Sequence, residues 1–299
     1  MASAGLARIV SMLRSTQPRV GDTLDFERYR RFLTVMAPRS PDGVRVLRTE
    51  VASRTVDWLV PDDADPRKRL LYLHGGGYIS GSVHTHRALA ARIAQAAGCV
   101  ALVLDYRIAP EDPFPAAIED SIAALHFIAH YGPDGTLSEP TNLFIGGDSA
   151  GGGLTLSTLL ETQRLVHVTA AVTLSAWTDL ACTGESVTTR GAVEPFLAPH
   201  LMHPTANAYL AGWDPYDPRV SPLYGNLVGL PPLLMQCGDA EILLDDTRRF
   251  AAKALAAGVD VTCEIWPEMF HVFQAFSAIL PEGQHAIENI GQYLRKRAG

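Results

Sequence analysis

No apolar run in this chain approaches the ~20 residues that a membrane-spanning helix requires, which excludes stable membrane insertion through a helix. Blocks of like charge are missing as well. Its 25 basic and 32 acidic residues are scattered, for a net charge of −7, and leave no electrostatic footprint for nucleic acid or an anionic membrane surface. Cysteine is scarce: Cys99, Cys182, Cys237 and Cys263 lie far apart, and three of them fall in apolar segments that read as strands. Buried free thiols in a reducing, cytoplasmic compartment account for them most simply. Residues 1–21 carry Arg8, Arg14 and Arg19 and no acid, as a transit peptide would, but they lack the uninterrupted apolar core of a secretory leader and read as a surface or cap helix. Linkers, repeats and low-complexity tracts are absent. What is present is a 47% apolar, 19% charged composition, which rules out a disordered chain, and 299 residues, enough for one large α/β domain or two small ones.

Helical periodicity at about 4–15 and 22–36 precedes a strand pair, VRVLRTEV and TVDWLV, whose alternation suits a sheet edge. Apolar strands then alternate with helices: RLLYLH and 86–97, CVALVLDY and 115–130, TNLFIG and 150–163, then VTAAVTLS. The series resumes with PPLLMQC, a helix near 246–257, VDVTCEIW and a last helix near 283–297. This alternation predicts a mostly parallel sheet with helices on both faces. Between Thr178 and Pro231 about fifty residues carry helical patches, aromatics and prolines but no strand, and a structureless loop of that length is improbable, so the segment reads as an inserted helical cap.

Residues 144–153, FIGGDSAGGG, crowd five glycines around Ser149. Glycine costs roughly 0.5–1 kcal/mol relative to alanine inside a regular element, so such a cluster signals a sharp turn or close packing. Gly147, Asp148, Ser149, Ala150 and Gly151 fit G-x-S-x-G, in which a serine is presented on a strained strand-to-helix turn. A serine hydroxyl needs a base, usually histidine, oriented in turn by a carboxylate. His271 follows the strand VDVTCEIW near the C-terminus and has the required context, which the other nine histidines lack. His84 and His86 form an H-x-H pair with no matching carboxylate or cysteine motif, so no metal is assigned. RLLYLHGGGYISG places Gly75, Gly76 and Gly77 just after a strand. Their unshielded N–H groups, with that of Ala150, are candidate donors to an oxyanion.

HGGGYISG (74–81), DYRIAPEDPFPAAIED (105–120), GGDSAGGGL (146–154), SPLYGNLVGLPPLLMQCGDAEILLDD (221–246) and FHVF (270–273) together resemble the landmarks of the bacterial hormone-sensitive-lipase-like esterases of the α/β-hydrolase fold, from about residue 69 to the C-terminus. The resemblance implies a serine carboxylesterase that forms an acyl-enzyme on short-acyl esters, needs no cofactor and takes a small-molecule ester as its partner. It also implies a homodimer through the last strand or helix. The expected layout is N-terminal cap helices over 1–40, a first catalytic part over 41–180, a cap insertion over 181–222 and a second catalytic part over 223–299. Asp105, Arg107 and Glu111 are expected to form a buried polar network near the site floor. The acid departs from the pattern: where the family has its triad aspartate this chain has Glu241, and Asp239 lies two residues earlier. Register with Gly238, Leu243 and Asp245 favours Glu241, giving Ser149, Glu241 and His271 as the catalytic set. A deacetylase, lactonase or amidase would use the same groups. A non-catalytic receptor would be expected to lack one of them.

Overall fold

A computed structural model describes residues 4–299. The strands form one eight-stranded sheet in the order β1-β2-β4-β3-β5-β6-β7-β8. β1 (Val44–Val51) and β2 (Arg54–Pro61) are an antiparallel hairpin, and β2 also runs antiparallel to β4 (Cys99–Leu104). The remaining pairings are parallel, through β3 (Asp65–Leu73), β5 (Asn142–Asp148), β6 (Ala170–Leu174), β7 (Leu233–Gly238) and β8 (Val261–Trp266). The expected pair thus closes one edge, with only β1 outermost. β4 and β6 are buried at every position, the continuous apolar pattern of strands covered on both faces.

Helices α3 (Val83–Ala97) and α9 (Pro281–Arg297) cover one face, α4 (Ala116–Ile128), α5 (Ser149–Thr162) and α8 (Leu244–Ala256) the other. Several helix boundaries differ from the sequence expectation, and two of them have a clear local reason. α3 begins three residues early because Ser82 and Thr85 form a reciprocal capping box, Ser82 Oγ accepting from Thr85 N at 3.3 Å and Ser82 N donating to Thr85 Oγ1 at 2.9 Å. α9 begins at Pro281, whose fixed φ and missing N–H suit the first helical turn.

The N-terminal helices α1 (Ala4–Thr16) and α2 (Phe26–Met36) lie over the carboxyl ends of the strands and line one cavity with α7 (Pro199–Leu210), which follows α6 (Ser186–Thr189). α1 buries Leu6, Ile9 and Leu13 against Met269, Phe270 and Phe273. α2 is pinned by Arg30, which donates to Ile79 O (3.0 Å) and Ala109 O (3.1 Å) and forks onto Glu111. Among the described residues no helix is long and apolar enough to cross a membrane.

Two expectations need correction. Cys263 is exposed rather than buried, because β8 pairs only with β7 and is a sheet edge, while Cys99 and Cys237 are buried. Asp105, Arg107 and Glu111 do not form one buried network. The irregular loop after β4 sends them apart: Asp105 accepts from Val83 N, Arg107 pairs with Asp120 at 2.8 Å, and Glu111 is exposed on Arg30.

Candidate active site

Ser149 sits where β5 ends and α5 begins, with φ at +54°, a left-handed conformation that a non-glycine residue adopts only when its surroundings enforce it. The small neighbours make that turn sterically possible. A Cβ at Gly151 would stand 2.1 Å from Leu73 O and 2.4 Å from His74 O, so α5 can approach β3 this closely only without a side chain there. The serine is consequently lifted to the carboxyl edge of the sheet, where open α/β sheets place their sites.

Three loops meet at that edge. His271, buried after β8, brings Nε2 to 2.9 Å from Ser149 Oγ. On its other side Nδ1 lies 2.7 Å from Glu241 Oε2. Glu241 Oε1 is occupied separately, accepting from Gly238 N (2.6 Å), Cys237 Sγ (2.8 Å) and Ser175 Oγ (2.9 Å). The carboxylate is therefore held by one oxygen and presents the other to the imidazole. Burial works against a charge on His271, but the hydrogen bond and charge of Glu241 outweigh it and hold the imidazole above its ordinary value of 6.5. Asp239 points elsewhere: its Oδ1 accepts from Glu268 N at 2.7 Å and fixes the turn after β8.

Gly76 and Gly77, with φ of +122° and +64°, line the cavity beside Ser149. No acceptor among the described residues takes the backbone N–H of Gly76, Gly77 or Ala150. Gly75 and Ala150 lie behind the cavity lining, and Gly75 packs so closely on Asp148 that a Cβ would stand 2.2 Å from Oδ2. Asp148 is itself buried, with Tyr72 OH donating to Oδ1 at 2.7 Å and His86 Nε2 3.2 Å from Oδ2. Burial raises its pKa, yet His86 and Tyr72 overcome that and keep it below the usual carboxylate range. His86, half of the H-x-H pair, thus braces the floor of the site. His74 is buried flat against Tyr106, and burial pushes its pKa down to about 3, so it is a neutral packing element.

The serine opens into a cavity of about 340 Å³ lined by Met12 and Leu13 of α1, Phe32 and Leu33 of α2, Phe196, Leu201 and Met202 of the insertion, and Phe276 and Ile279. The lining contains no lysine, arginine or glutamate. Sequence reasoning missed Ser175 and Phe196, and noted Cys237 and His86 only as a buried thiol and half of an H-x-H pair without seeing their roles. Ser175 alone carried a signal, as a polar residue at the carboxyl end of a core strand, the position from which α/β sites are built. Its hydroxyl also accepts from Val272 N at 3.0 Å, tying Glu241 to the histidine loop.

Residues 70–275 match the alpha/beta hydrolase fold family. An acetyl-hydrolase of Streptomyces hygroscopicus is 46% identical over 247 residues, covering 82% of this chain and 81% of that protein. An esterase of Acinetobacter venetianus is 34% identical over 77% of this chain and 75% of its own length. Among solved structures, an esterase from the bacterial hormone-sensitive lipase family superposes with a TM-score of 0.92 at 42% identity over the whole of both chains, and EstE5, soaked with p-nitrophenyl butyrate, with 0.93 at 39% identity over 99% of each. The chain therefore belongs to the α/β-hydrolase fold family, among the esterases of the bacterial hormone-sensitive-lipase group, and is a carboxylic-ester hydrolase.

Proposed function

We propose that the enzyme hydrolyses short-acyl esters through an acyl-enzyme on Ser149, with His271 as base and acid and Glu241 as the orienting carboxylate. The observation that carries this is the unbroken chain Ser149 Oγ, His271 Nε2/Nδ1, Glu241 Oε2, with spacings of 2.9 and 2.7 Å, opening into an apolar cavity. Ser149 Oγ attacks the ester carbonyl as its proton passes to His271 Nε2. The charge developing on the carbonyl oxygen is met by the N–H groups of Gly76, Gly77 and Ala150, while Gly75 permits the close seat on Asp148. His271 then protonates the leaving alcohol, and a water deprotonated by the same nitrogen releases the acid. Glu241 keeps the proton on Nδ1, so that Nε2 is the lone-pair nitrogen facing the serine.

A volume of about 340 Å³ lies at the small end of ligand pockets and supports short acyl groups. The absence of lysine and arginine from its lining supports neutral esters over carboxylate- or phosphate-bearing ones. Removal of an acetyl group from oxygen is the second reading, favoured by the similarity to the Streptomyces hygroscopicus acetyl-hydrolase. A series of p-nitrophenyl esters from acetate to palmitate, run on the wild type and on Ser149→Ala with fluorophosphonate labelling of both, tests the proposal. Turnover should peak between two and six carbons, and both turnover and labelling should vanish in the folded variant. Labelling that persists in Ser149→Ala would remove the serine assignment, and efficient long-chain turnover would remove the short-acyl one.

A further inference from the structure

A second buried carboxyl lies near enough to the imidazole for the two charges to act on each other, and it has no part in the scheme above. Glu194, in the insertion between α6 and α7, is 1% exposed. Its Oε1 accepts from Phe196 N at 2.8 Å, and its Oε2 accepts, at a longer 3.4 Å, from the N–H of Ile242, the residue after Glu241. Phe196, placed by that first bond, has its ring centroid 5.9 Å from that of His271. The Glu194 carbonyl is taken by Gln17 Nε2 at 3.1 Å, at the end of α1. One residue thus joins the cap insertion, the N-terminal lid and the loop that carries the triad acid.

The charges around it are unbalanced. Among the described residues no lysine or arginine pairs with Glu194. Arg14, the cation α1 contributes nearby, is directed at the carbonyls of Ala192 and Val193. The titratable groups that act on it are His271 and Glu241. Both oxygens only accept from backbone N–H groups. A neutral side chain could supply part of this bonding without the desolvation penalty of a carboxylate, so a purely structural role does not call for an ionisable group here. A carboxylate beside an imidazole that must become cationic in the transition state does have a use.

We propose that Glu194 is a positioning residue of the hydrolytic machinery, seating Phe196 and the Glu241 loop as one unit against His271 and supplying a second negative charge to the imidazolium. This rests on the Ser149–His271–Glu241 reading. Burial first, then the charge of Glu241, push the Glu194 carboxyl up to about 7, with the charge of His271 working in the opposite direction. Glu194 and His271 therefore act on each other's protonation.

The test is the acid limb of kcat/KM against pH for the wild type, Glu194→Gln and Glu194→Ala, with Glu241→Gln as benchmark. Glu194→Gln should lower kcat several-fold and move the limb to lower pH by about 0.5 unit or more, roughly a threefold relative gain on that limb. The reason is that imidazole without the second carboxylate protonates less readily. Glu194→Ala, which also releases Phe196 and the loop, should raise KM in addition. Normalised profiles that superpose for wild type and Glu194→Gln would overturn the proposal and leave the triad reading intact. A loss of about 10³ in Glu194→Gln, with Glu241→Gln nearly silent, would overturn both by making Glu194 the orienting acid. Should the variants fail to fold, ring ¹⁵N resonances of His271 in the wild type decide the matter: two inflections between pH 5 and 9 support the coupling, and a single one refutes it.

Discussion

Glu241→Gln is the substitution for which the structure supplies the most detailed expectation. The glutamine is nearly isosteric, but its amide is asymmetric, and its two ends meet different neighbours. The Oε1 site faces three donors, Gly238 N, Cys237 Sγ and Ser175 Oγ, so the amide oxygen belongs there. The NH₂ group is then left 2.7 Å from His271 Nδ1 and can only donate to it. That forces the imidazole proton onto Nε2, where it points at Ser149 Oγ and abolishes the base. The charge that stabilises the imidazolium disappears in the same step. A loss of 10³–10⁴ in kcat is expected, about 4–5.5 kcal/mol of transition-state stabilisation, with KM little changed. Glu241→Asp should retain partial activity, because a carboxylate drawn back by one methylene keeps its charge but not its reach. Asp239→Asn should fall within a few-fold of wild type, since an amide oxygen can still accept from Glu268 N. Steady-state hydrolysis of p-nitrophenyl butyrate, with circular dichroism to establish folding, measures all three. Glu241→Gln within tenfold of wild type, or a crippled Asp239→Asn, would refute the reasoning and move the acid.

The pH dependence should follow His271. Only its neutral form takes the serine proton, and Glu241 holds its pKa above 6.5, so kcat/KM should rise with pH through a midpoint above that value; a midpoint below it would contradict the hydrogen-bond geometry. Stability should show a trend of the opposite kind. Burial, with the neighbouring Asp179, raises the Asp246 carboxyl from 3.8 to about 8, so the protonated form is favoured in the folded chain. The corresponding stability is full below about 4 and is lost as pH rises through about 8. Asp246→Asn keeps an oxygen for the N–H groups of Thr178 and Asp179 and should flatten the decline of the urea midpoint between pH 5 and 9. Equal slopes in wild type and variant would rule out Asp246 as a source.

What the sequence determined by itself is the set of features encoded in consecutive residues. The strand–turn–helix at Ser149 was legible because the glycines needed for close packing sit within a few positions of the serine, and the HGGG turn was legible for the same reason. Alternating apolar strands and helices gave a parallel sheet, and the order of motifs gave the family. Boundaries such as Val83 slipped because a threonine fills the capping-box position where glutamate or glutamine is the usual signal. The tertiary structure alone decided which groups meet. Glu241 and Asp239 differ by two residues in sequence, yet a turn after β7 points one carboxylate at His271 and the other at Glu268 N, a choice that register could favour but not show. Ser175, Cys237, Phe196 and Glu194 left little or no sequence signal, because their roles depend on partners brought from other loops. Ser175 acts across 66 residues to reach Glu241 and 97 to reach Val272, and Glu194 across 48 to reach Ile242. Local chemistry therefore announced the proposed nucleophile and oxyanion turn, while the groups that hold Glu241 and press on the imidazole exist only as contacts formed when β6, β7, β8 and the segment before α7 meet around one cavity.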